Sequence, residues 1–192
     1  MLTRFLNNLV TQQERKLGAP LDYLREIVEL SPSAFFKLAL IGPMGTHRKR
    51  LPLDAFHVAR IAATKAEDCG TCVQIAVNVA QQEGISPDTL DVALDGNTAL
   101  LSDELATVYR LAETVARGND DPELREAVIK AYGKEALVEL AFAIASSRLF
   151  PAIKRTLGHA QSCLLVKPAV RQEQKPVKPM KKSRRAEPVV CP

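Results

Sequence analysis

Two cysteines, in the segment Cys69-Gly70-Thr71-Cys72, are the residues of this chain whose type and spacing best suit chemistry. Residues three apart lie on one helical face, one turn from each other, so the two sulfurs can meet. The residues just before them are Ala66-Glu67-Asp68. Asp68 suits the N-cap of a helix that opens at Cys69, which puts Cys69 at N1 and Cys72 at N4. Free N–H groups and the helix macrodipole at that end favour a thiolate. The thiolate is the nucleophile in thiol–disulfide exchange and in peroxide reduction. Glu67 and Asp68 oppose this, since neighbouring carboxylates disfavour another negative charge. One of them could instead accept a proton during turnover.

Other readings of the pair stay open at this point. It could be half of a metal site, or two small buried hydrophobes. A zinc site wants four ligands, commonly including a second close pair. Here His47, His57, His159 and Cys163 are scattered along the chain and no second pair exists. Cys163 reads most simply as a packing cysteine at a helix end. Cys191 stands one residue from the end, where a prenylation signal needs its cysteine four from the end. A close pair among only four cysteines suits a cytosolic redox or metal motif better than a secreted disulfide scaffold. No βαβ pattern surrounds it, so it is not thioredoxin-like.

The elements that must position these sulfurs are helices. Ser86-Pro87-Asp88, Ser102-Asp103-Glu104 and Asp121-Pro122-Glu123 are helix starts, with a capping side chain followed by proline or acid. Gly18, Gly84, Gly118, Gly133 and Gly158 each follow a helical pattern where a C′ glycine is expected. Leu105, Val108, Leu111, Ala112 and Val115 share one buried face, as do Leu137, Leu140, Ala141, Ile144 and Ala145. No run alternates between hairpin turns, so no sheet is expected. The spacing predicts helices over 3–17, 21–41, 53–66, 69–83, 87–94, 103–117, 122–132 and 135–157. The expected fold class is all-α: one compact multi-helix domain over 1–166, its core motif region at 51–160, with the C-x-x-C at a helix N-terminus.

Charge divides the chain at the same boundary. From 167 to 192 there are eight Lys or Arg against two Glu, or +6, which leaves −2 on the first 166 residues. Five of the twelve prolines fall in that stretch, and such a composition buries too little apolar surface to offset its ordering entropy. It reads as a disordered basic tail. It lacks interleaved aromatics and amphipathicity, so contact with nucleic acid through it is expected to be weak at most. The first ten residues carry no signal-peptide pattern, and no stretch approaches the ~18 consecutive apolar residues of a membrane span. The expected location is the cytoplasm.

A helix, a short polar break and a C-x-x-C opening a second helix, in an all-helical chain of this size, resemble the AhpD-like branch of the carboxymuconolactone decarboxylase superfamily. The likeness is clearest over 51–118. The segment CGTCVQIAVNVAQQEGIS carries the dithiol helix, the glycine that ends it and the next helix start. The stretch 135–150 is similar to the family's later long helix. The resemblance implies an all-α fold assembled as a homo-oligomer, such as a trimer or hexamer. It implies a dithiol peroxidase or oxidoreductase in which Cys72 attacks the peroxide and Cys69 resolves the sulfenic acid to a disulfide. The implied partners are a hydroperoxide or disulfide substrate and a dithiol reductant, of lipoyl type for example. No metal or tightly held organic cofactor is implied.

The family completes its site with a glutamate twelve residues before the first cysteine and a histidine four after the second. Those positions here are His57 and Ala76. The relay cannot run in the family's form, and His57 and Glu67 are the candidate replacements. The plainer readings are a partly buried structural histidine and a solvated acid at a helix end. The superfamily's dithiol-free decarboxylation is disfavoured by the C-x-x-C itself. The non-catalytic alternative is a helical oligomeric scaffold or redox sensor.

Overall fold

The computed structural model describes residues 1–160. Residues 161–192, which take in Cys163, the expected tail after Val166 and Cys191, lie outside the described residues. Among those described there is no strand. The helices are α1 (Leu2–Leu17), α2 (Asp22–Leu30), α3 (Pro32–Ala39), α4 (Ile41–Gly45), α5 (Leu53–Ala66), α6 (Gly70–Gln82), α7 (Pro87–Asp95), α8 (Asp103–Ala116) and α9 (Pro122–Thr156). A single 3₁₀ turn, Thr98–Leu100, leads into α8.

The punctuation works as the residues dictate. Ser86, Ser102 and Asp121 each accept a hydrogen bond from the backbone N–H three residues on, satisfying a helix-end donor. Gly18 follows α1 with φ 65°, a left-handed turn that a side chain would strain. Gly133, with φ 86° and ψ 167°, breaks α9 between the two helices expected there.

The expected helix over 21–41 is instead three pieces. Ser31 is extended, with φ −154° and ψ 83°, because it precedes Pro32. The ring of a proline excludes the preceding residue from the α region, and its fixed φ then suits the first position of α3. Leu40 and Ile41 then lead into the one-turn α4.

Two apolar clusters hold the body together. The larger joins α5, α6, α7, α8 and α9 around Phe56, Val58, Ile61, Val77, Leu90, Val108 and Leu140, all nearly or fully buried. The smaller centres on Leu6, Val10, Leu21, Tyr23 and Val28 of the N-terminal segment, and takes Ile75 from α6 and Phe150 and Ile153 from α9. α6 also closes the end of α1: Asn78 Nδ2 donates to the carbonyl of Leu17 at 2.8 Å and Gln82 Nε2 to that of Lys16 at 2.8 Å. By length and composition α9 is apolar enough to cross a membrane; 44% of its most apolar window is buried in this body, and its Ala136, Leu140, Ala143 and Ile144 belong to the larger cluster.

α4 crosses α9 at a glycine. A Cβ on Gly45 would stand 2.9 Å from Cβ and Oγ of Ser146, which is buried and fixed on α9. We expect Gly45→Ala to destabilise the protein by about 1–3 kcal/mol, the usual scale of overpacking. Urea unfolding gives the value. An unchanged midpoint would show that the two helices separate freely.

Candidate functional site

The dithiol stands in the turn between α5 and α6. α5 ends at Ala66, and the amides of Glu67 and Asp68 donate back to the carbonyls of Thr64 and Lys65 at 3.2 and 3.0 Å. Asp68 then takes φ 47°, the only positive φ among the described residues other than glycine. That residue reverses the chain and delivers Cys69 as the N-cap of α6, with φ −123° and ψ 90°. The expected helix start is therefore corrected by one residue: Cys69, not Asp68, is the N-cap, and Cys72 is at N3. The reason is Asp68's left-handed backbone, since an N-cap residue takes extended angles. The first helical bond of α6 runs from the Val73 amide to the Cys69 carbonyl at 3.0 Å.

Cys69 and Cys72 are joined in a disulfide, with Cα atoms 5.3 Å apart. Their exposures differ. Both are buried, Cys69 at 0% exposed and Cys72 at 8%, so Cys72 is the less enclosed of the two. Opened to the dithiol, both sulfurs would lie at the positive end of α6, where unsatisfied N–H groups favour negative charge.

Glu67 is not a solvated acid. Arg148 Nε donates to its Oε1 at 2.7 Å, and Arg155 stands 3.5 Å from its Oε2. Arg155 also donates to the Glu67 backbone carbonyl. Only 13% of the Glu67 side chain is exposed. Two guanidinium groups thus offset the Glu67 carboxylate, which lowers the repulsion it would otherwise exert on a thiolate. The same clamp ties the turn holding the cysteines to α9, more than eighty residues away.

His57 is fully buried, and its hydrogen bond runs from Nε2 to Oε2 of Glu83 at 3.0 Å. The structure does not join it to either sulfur by a hydrogen bond. Glu83 caps the far end of α6, and about 16 Å of helix rise separates its backbone from that of Cys72. The other ring nitrogen, Nδ1, is buried without a partner. Arg60, one turn along α5, lies over the Phe56 ring at 5.3 Å.

Burial pushes the His57 pKa below its ordinary value. The hydrogen bond that Nε2 donates to Glu83 pulls it up, and the charges of Arg60 and Arg48 push it down. A neutral imidazole is thus the native form. Its folded pKa lies below its unfolded value, so the stability it confers is present above about pH 6.5 and lost as pH falls below that. We expect His57→Gln to flatten the loss of thermal stability between pH 7.5 and 5.5. A variant whose melting temperature falls as steeply as that of the parent would refute this.

Of the four sequence-predicted site residues, the structure brings Cys69, Cys72 and Glu67 into one turn and sets His57 towards the other end of the α5–α6 pair. Sequence reasoning missed Arg148, Arg155 and Glu83, each of which acts by long-range contact. Among the described residues no three His, Cys, Asp or Glu side chains gather as metal ligands.

No protein-family model matches the chain, and no curated protein matches it. A solved structure does. It is a cysteine-to-alanine variant of the debrominase Bmp8 in complex with 2,3,4-tribromopyrrole, 15% identical, with a TM-score of 0.69. The match covers 81% of this chain and 84% of that one. This likeness shows the fold. It extends across most of the described body.

Proposed function

We propose that the chain is a dithiol oxidoreductase of the AhpD-like type, a peroxidase cycling Cys69 and Cys72 between dithiol and disulfide. The observation that carries this is the pair itself: two cysteines closed into a disulfide at the start of α6, Cys69 fully buried and Cys72 nearly so. The debrominase with the same fold was captured with a brominated ring and with one of its cysteines replaced. That is compatible with cysteine chemistry on this scaffold.

In the proposed cycle the Cys72 thiolate attacks the terminal oxygen of a hydroperoxide. An S–O bond forms, the O–O bond breaks, and the alkoxide takes up a proton and leaves as an alcohol. The Cys69 thiolate then attacks the Cys72 sulfur. The S–S bond forms and the oxygen leaves as water. A dithiol reductant, of lipoyl type for example, restores both thiols and is itself oxidised to a disulfide. Thiolate character rests on the α6 N-terminus and on Arg148 and Arg155, which offset Glu67. The direct bases envisaged in the sequence, His57 and Glu67, are engaged with Glu83 and with the two arginines. A water molecule then carries the proton. We place the protein in the cytoplasm as a homo-oligomer.

Hydroperoxide consumption by the full chain with dihydrolipoamide as reductant tests the reading. Turnover that depends on both cysteines supports it. A reversible disulfide with no turnover would favour the redox sensor, and no thiol reactivity would favour the scaffold.

A further inference from the structure

A lysine near the end of α9 takes no part in the cycle above. Lys154 is 4% exposed, whereas lysines are seldom buried unless a partner replaces their water. Its Nζ lies over the ring of Tyr23 on α2, 5.5 Å from the centroid. Tyr23 belongs to the smaller apolar cluster, and Ile153 and Leu157, from the same stretch of α9 as Lys154, pack on that cluster too. Among the described residues Lys154 makes no ion pair and no hydrogen bond. Asp22, beside Tyr23, acts on it through charge alone.

A ring face attracts an ammonium but supplies no acceptor for its three N–H groups. Burial therefore pushes the Lys154 amine below the ordinary lysine range. Lys65 is pulled down as well, but its Nζ donates to the carbonyl of Ala93 at 3.2 Å and to that of Leu94. Those bonds hold Lys65 in place, and Lys154 has no equivalent. A desolvated lysine with a free lone pair is the form in which this side chain attacks carbonyl carbon. The next residue, Arg155, turns the other way and donates to the Glu67 carbonyl, so Lys154 and the dithiol turn lie on different sides of α9.

We propose that Lys154 is a nucleophilic amine that condenses with small uncharged aldehydes, at a site separate from the cysteines. The amine lone pair attacks the carbonyl carbon, a C–N bond forms, and the carbonyl oxygen takes up a proton. The carbinolamine then loses water to give the imine, with no change of oxidation state. The aldehyde must be small because the residue is almost enclosed, and uncharged because Asp22 disfavours an anion beside it.

The probe is propionaldehyde at pH 7, with cyanoborohydride to trap imines on the full chain, followed by peptide mass mapping. Lys154 should be alkylated at least about tenfold faster than the exposed Lys16, Lys37 and Lys130, the gain in neutral amine from one unit of lowered pKa. Lys154→Arg keeps the cation over the ring and should remove the fast fraction while leaving the other lysines unchanged. Alkylation of Lys154 no faster than that of the exposed lysines overturns the proposal, and this comparison within the parent chain holds whether or not the variant folds. A fast fraction that survives in Lys154→Arg overturns it as well. Faster trapping with glyoxylate than with propionaldehyde overturns the uncharged class.

Discussion

Cys72→Ser should lower hydroperoxide turnover by about three orders of magnitude or more, the scale on which loss of a nucleophile acts. The argument runs through exposure and position together. Cys72 is the less deeply buried of the two cysteines, and it lies in the first turn of α6 where backbone donors are free. A Ser hydroxyl there is not ionised and does not attack peroxide oxygen. Cys69→Ser should behave differently. The first attack survives, since Cys72 is intact, but no internal sulfur can displace the oxygen. One equivalent of peroxide is then consumed and a sulfenic acid accumulates at Cys72, which a dimedone adduct detects by mass. The reverse pattern, with attack surviving only in Cys72→Ser, would exchange the roles of the two residues.

The second large effect concerns stability. Glu139→Ala should cost about 3 kcal/mol, because the buried Leu51 amide and the partly buried Arg50 amide lose a charged acceptor. Glu139 is 3% exposed on α9. Both its oxygens accept from the Arg50 amide at 3.0 Å, and Oε2 also accepts from the Leu51 amide at 2.9 Å. Desolvation raises its pKa, but the backbone donors of Leu51, Lys49 and Arg50 outweigh burial and hold it below the ordinary carboxylate range. A lowered pKa means the stabilisation is full above about pH 4.3 and is lost as pH falls through the folded value. Glu139 thereby fixes the loop that buries Leu51 and starts α5, the helix that leads to the cysteines. Urea unfolding at pH 7 and pH 4 measures both effects. A variant as stable as its parent at pH 7 would contradict this account of the loop.

What could be read from the sequence follows from range. Helix class, most boundaries and the dithiol turn depend on neighbours within a few residues. The serine and aspartate caps and the glycines that end α1 and split α9 are signals of that kind. Two local signals were misread. Ser31-Pro32 carries the same chemistry as Ser86-Pro87, yet its apolar surroundings suggested an unbroken helix. Asp68 has the chemistry of an N-cap but takes a left-handed angle, which moves the helix start to Cys69.

The charged partners could not be read this way. Glu67 meets Arg148 and Arg155 across more than eighty residues, and Glu139 reaches the Arg50 amide across a similar span. His57 and Glu83 are twenty-six residues apart and meet only because α5 and α6 fold back on each other. No periodicity within one helix records such pairs, so a glutamate beside two thiols looked like a repelling charge or a base. The fold makes it a clamped and neutralised turn.

Mass spectrometry of the fully reduced chain, with free thiols alkylated before and after one equivalent of hydroperoxide, tests the central claim most directly. The account predicts that Cys69 and Cys72 lose their labels together and reappear as one internally linked peptide, restored by a dithiol. If both cysteines remain fully alkylated after peroxide, or the oxidised thiols are Cys163 and Cys191, the dithiol cycle at the start of α6 is wrong.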